Sequence, residues 1–163
     1  MARINDEKLE KAIDYIEELS DAKYEKLLDT FEKEQPDLYS FLNEKLEDLD
    51  DEDQRNDVIT IMMIIYYVIS TENPNMFMVS NKIIDKCETR QQEILDEIDQ
   101  VARTSELLDD EDLSLAYIPN KYLHNFVTAT LDPGEDDSPF DEESSDKAYH
   151  IVKVCVDCLA EVI

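Results

Sequence analysis

One glycine, Gly134, has to serve all 163 residues of this chain. Tight hairpins draw on glycine for turn residues with positive φ, so sheet-rich folds built on such turns are disfavoured. Glycine-rich phosphate loops, of the Walker type or the dinucleotide fingerprint, are excluded, because each needs several glycines. Helices remain, and they have to end at Asn, Pro or acidic turns. The chain is 42% hydrophobic, too apolar for a wholly disordered acidic tail. Its length suits one domain with a real core. The expectation is an all-α, single-domain irregular bundle over residues 1–163, with about six to seven helices.

Apolar periodicity places the elements. Residues 5–19 read as a first helix, with Asn5 as cap and Leu9, Ala12, Ile13, Ile16 and Leu19 as its stripe. Ser20 caps a second, with Tyr24, Leu27, Leu28 and Phe31 inward. Gln35-Pro36 ends it and opens a third, carrying Leu38, Phe41, Leu42, Leu46 and Leu49. Their tight connections suggest consecutive antiparallel neighbours. The fourth, about 53–72, contains the twelve-residue run Val58–Ile69, which has no polar face. A helix apolar all round is buried all round, so this one is expected at the centre. A buried strand is the alternative, but twelve residues is long for a strand and no partner strand is evident.

A long helix at 80–104 follows the Asn73-Pro74-Asn75 break. Its stripe is interrupted between Glu88 and Glu93, where Gln91 takes an apolar position. That marks an exposed segment or a polar contact. Leu107, Leu108, Leu113 and Leu115 suggest a short helix in an acidic connector. Pro119 is expected to open a helix through Leu131. Residues 132–146 hold eight carboxylates, two prolines and no basic residue, and read as an acidic flexible loop anchored only by Phe140. The last helix, about 146–162, is strongly apolar.

Acidity is the second constraint. Forty-two Asp and Glu against fifteen Lys and Arg leave a net charge of −27. DNA and anionic membranes repel such a chain, and no basic patch with aromatics exists, so neither nucleic acid nor membrane is an expected partner. A bilayer span needs about twenty apolar residues, more than the longest run here. The charge is uneven: −12 in residues 1–57, −3 in 58–105, −4 in 106–131 and −8 in 132–163.

No constellation for catalysis stands out, and no cofactor is expected. Cys155 and Cys158 form a CxxC, but late in a helix and in register with Ile151 and Val162, as core filler would be. With Cys87 they suggest neither a disulfide scaffold nor a zinc site. Calcium-loop spacing fails from Asp132 and from Asp48, and no Glu-x-x-His motif precedes His124 or His150. His150 is placed to pair with Asp146 one turn away. Cysteine usage and a charged N-terminal segment without an apolar leader point to the cytoplasm.

The expected function is therefore non-enzymatic: a basic protein partner met by a negative surface, as an immunity protein, inhibitor or chaperone would do. The candidate residues are Asp50, Asp51, Glu52, Asp53, Asp132, Glu135, Asp136, Asp137, Asp141, Glu142 and Glu143. One alternative is acidity that serves solubility alone, with self-association through the Val58–Ile69 helix. A further one is divalent-metal binding by carboxylates, or an enzyme of unrecognised type.

Overall fold

The computed structural model describes residues 3–103 and 113–163. These form α1 (Asp6–Glu17), α2 (Asp21–Glu34), α3 (Pro36–Leu46), α4 (Glu52–Glu72), α5 (Asn81–Arg103), α6 (Lys121–Thr130) and α7 (Glu142–Ala160), with no strand among the described residues. The protein is all-α, and the Ile- and Val-rich run at 58–69 is helical. Leu107 and Leu108 of the expected short helix lie outside the described residues, and Leu115 is exposed.

Side-chain caps stand where a glycine-poor chain needs them. Asn5 accepts the Lys8 N–H at 2.9 Å and Ser20 accepts that of Lys23 at 3.3 Å. Each satisfies one of the four donors a helix start leaves unpaired. Pro36 occupies the first turn of α3, where its missing N–H costs nothing. Two boundaries differ from expectation. α6 begins after Asn120, whose side chain takes the N–H groups of Tyr122 and Leu123, so Pro119 precedes the cap. α7 begins at Glu142, because Asp141 and Ser144 cap each other reciprocally. The last residues of the expected loop are therefore its first turn.

α4 packs against α1, α2, α6 and α7, and Val58, Ile61, Met62, Ile65 and Ile69 are all but sealed from solvent. It shares the interior with α7, which is buried as thoroughly from Ala148 to Leu159 and packs against α3, α4 and α5. α2 and α3 pack as consecutive neighbours. α1 instead lies along α4 and α6, with Leu9, Ala12 and Ile16 buried. Tyr15 stacks on Tyr67 at 4.6 Å, and Lys8 reaches Glu72 at 2.9 Å, closing the α1–α4 seam.

The connection from α4 to α5 is pinned by one side chain. Gln35, 2% exposed, donates to the Phe77 carbonyl at 3.0 Å and accepts the Val79 N–H at 2.7 Å. The Phe77 N–H donates to the Val162 carbonyl at 2.9 Å. Val79 is buried, while Phe77 and Met78 face solvent.

Candidate functional site

The two acidic segments meet. Gln54, in the first turn of α4, is buried and donates from Nε2 to the Pro139 carbonyl at 2.8 Å and to Ser144 Oγ at 3.2 Å. One side chain thus ties the start of α4 to the start of α7 across 85 and 90 residues of sequence. Phe140 inserts into the core beside this link, as expected. The link brings the start of α4, next to Asp50–Asp53, against the Pro139–Ser144 segment, and all eleven candidate carboxylates are exposed.

Those carboxylates divide by what they do locally. Asp51 accepts the N–H groups of Asp53 at 2.7 Å and Gln54 at 3.2 Å, capping α4. Asp141 caps α7, and the Ser144 N–H holds its carboxyl below the usual range. Asp132 accepts the Gly134 N–H at 2.8 Å within its turn. Glu52, Asp53, Glu142 and Glu143 lie in first turns, where the helix dipole favours negative charge. Asp50, Glu135, Asp136 and Asp137 have no such local role through their carboxylates. Burial, joined by the charges of Asp53 and Asp51, pushes the nearby Asp57 carboxyl up.

One histidine departs from expectation. His150 Nδ1 faces Gln91 Nε2 at 3.1 Å, so its partner is Gln91 and not Asp146. Gln91 is 3% exposed and also donates to the Ala116 carbonyl at 3.2 Å, which makes the interruption in the α5 stripe a polar contact. Its Oε1 is buried with no partner. Burial pushes the His150 imidazole below its ordinary value, and the Nδ1 lone pair accepts from the amide. His124 Nδ1 lies 2.7 Å from the Tyr149 hydroxyl, which accepts the Ile118 N–H at 2.8 Å. Burial pushes that phenol up to about 12.

The three cysteines are free and buried. Burial raises the Cys87 and Cys158 thiols and takes Cys155 up to about 12, the reverse of what a thiolate nucleophile requires. Among the described residues, no three or more His, Cys, Asp and Glu side chains are placed to hold a metal ion. Nor is any helix among them long and apolar enough to cross a membrane.

Gln91 was legible as a polar residue in the stripe; Gln54 was missed, although both carried the same signal. Each is a polar residue in apolar register, Gln54 with Val58 and Ile61, Gln91 with Cys87 and Leu95. No protein-family model, curated protein or solved structure matches this chain.

Proposed function

We propose that this protein is a non-enzymatic docking module whose acidic pole receives a basic protein partner. The observation that supports the reading is the Gln54 link, which ties together two separately acidic segments whose carboxylates are exposed. Opposed potentials of this kind steer encounter and make association fast and salt-sensitive. The carboxylates without a capping duty, Asp50, Glu135, Asp136 and Asp137, are the ones left to face a partner. Three buried cysteines serving as apolar filler suit a reducing, cytoplasmic setting.

Self-association through Val58–Ile69 has less support, because most of that run is buried within the chain, with Ile59, Thr60 and Tyr67 half-buried. Acidity as plain solvation keeps one specific support: Asp51, Asp132 and Asp141 serve caps and turns. The test compares the native protein with a variant in which Asp50, Glu135, Asp136 and Asp137 become Asn or Gln. The native protein should retain basic proteins at low salt and release them at roughly 0.3–0.5 M, where screening falls to a few ångströms. Equal retention by the variant would sink the proposal.

A further inference from the structure

Three of the fifteen basic residues of this protein face one cleft. A cleft of 690 Å³ among α5, α6, α7 and the segment before α6 is lined by Arg90, Lys121 and Lys153, with Asp157 the one acidic residue among its described walls. In a chain with 42 acids and 15 bases, three basic residues drawn at random would come with about eight acids; here they come with one. Among the described walls, the charge thus runs against that of the whole molecule.

Geometry supports a built site. Lys153 is 4% exposed and paired with Asp157, so that pair contributes little net charge and fixes one wall. Lys121 stands 5.0 Å from the Tyr122 ring centre and is exposed, with an ammonium free to turn toward a ligand. Arg90 touches Cys87 Sγ at 3.7 Å and makes only a long contact, 3.6 Å, with Glu161, which Lys86 holds more closely at 3.1 Å. The remaining wall is apolar. It includes Ile94, Leu115 and Tyr117, and the last two are among the few large apolar side chains left exposed, at 58% and 43%. The wall is also held in place: the Ile118 N–H bonds the Tyr149 hydroxyl, and Gln91 holds the Ala116 carbonyl.

Two cations not committed to a close ion pair, set beside an exposed apolar wall, define what fits. We infer that this cleft binds a small organic anion with an apolar body, its carboxylate or phosphate between Arg90 and Lys121 and its hydrocarbon against Leu115 and Tyr117. The volume lies within the usual range of ligand sites, about 300–1,000 Å³. None of the eleven carboxylates of the acidic pole lines it, so the inference is independent of the proposed function.

The charge inversion gives a sharp test. Octanoate, octanol and octylammonium share one tail and differ in sign. In isothermal titration at about 0.15 M salt, where bulk charge is screened beyond ~8 Å, octanoate should bind saturably at one site per chain. Octylammonium should not occupy that site, although net charge alone favours it. Lys121→Gln with Arg90→Gln should weaken octanoate by about tenfold or more, as expected for loss of charge-assisted hydrogen bonds. Both side chains are exposed, and unchanged circular dichroism verifies the fold. Lys26→Gln, on α2, should leave the affinity as it was. Stronger binding of octylammonium, equal binding of octanol, absence of saturation, or an undiminished affinity in either the single Lys121→Gln or the double variant would overturn the inference.

Discussion

Gln91 occupies a place on α5 where Ile84, Cys87 and Leu95 set an apolar register, and it fills that place with an amide that holds two acceptors at once. Removing it leaves the Ala116 carbonyl and His150 Nδ1 without a donor in a buried setting. Gln91→Ala should cost about 2–3 kcal/mol, read as a lower urea midpoint at unchanged slope. His150 adds a pH dependence. Its folded value lies below the ordinary imidazole value near 6.5, with burial the main cause. As pH falls through about 6.5 the unfolded chain takes a proton that the folded chain refuses, so stability drops until the folded value is passed. Protonated Nδ1 would also meet the Gln91 donor head-on. The melting temperature of the native protein should therefore fall across that window relative to His150→Asn. A constant difference between the two would show that His150 does not titrate this way.

At the scale of the element, cap chemistry decides where helices start, and it was only partly legible. Asn5, Ser20 and Pro36 announce α1, α2 and α3 because each stands directly before an amphipathic stripe. Asp141 announces α7 no less clearly, but it stands among seven other carboxylates, and a cap cannot be told from a solvated acid by residue type alone. Pro119 misled for a related reason: Asn120, one residue on, has the better acceptor. Asp141→Ala should destabilise the protein by about 1 kcal/mol, in line with other lost N-caps, seen as a lower melting temperature. Asp136→Ala, three residues after the turn at Pro133, should have almost none of that effect. The all-apolar face of α4 was readable from its own twelve residues. The strongly apolar last helix was expected to dock as a core element, and it does; that it is covered on nearly every face was not readable, because its apolar content looks the same whether one face or all of them is covered.

The whole molecule carries −27, and its helices distribute that charge in a way no stretch of sequence displays. Gln54 bonds to residues 85 and 90 positions away, and Arg90, Lys121 and Lys153 converge from three helices. Both are facts of tertiary packing, beyond the reach of periodicity. Repulsion among the carboxylates should make the fold more stable as salt rises, since screening weakens it. A melting temperature that falls with moderate NaCl would mean that local ion pairs outweigh repulsion. Asp57 belongs to this balance. Its carboxyl is raised in the folded state, so the penalty present near neutrality is relieved as pH falls through the folded value. That gain on acidification opposes the His150 loss.

Gln35 has a consequence for how the protein meets proteases. By donating to one carbonyl and accepting the N–H two residues on, its amide imitates the rung of a neighbouring strand along Phe77–Val79. A protease must draw its substrate out as an extended strand and pair with that same backbone. Phe77 is 76% exposed and offers the side chain chymotrypsin favours, but its main chain is already engaged on both sides. The bond after Phe77 should survive limited digestion in the native protein and be cut early in Gln35→Ala. The most conspicuous aromatic on the surface would then be guarded by a glutamine that solvent hardly touches.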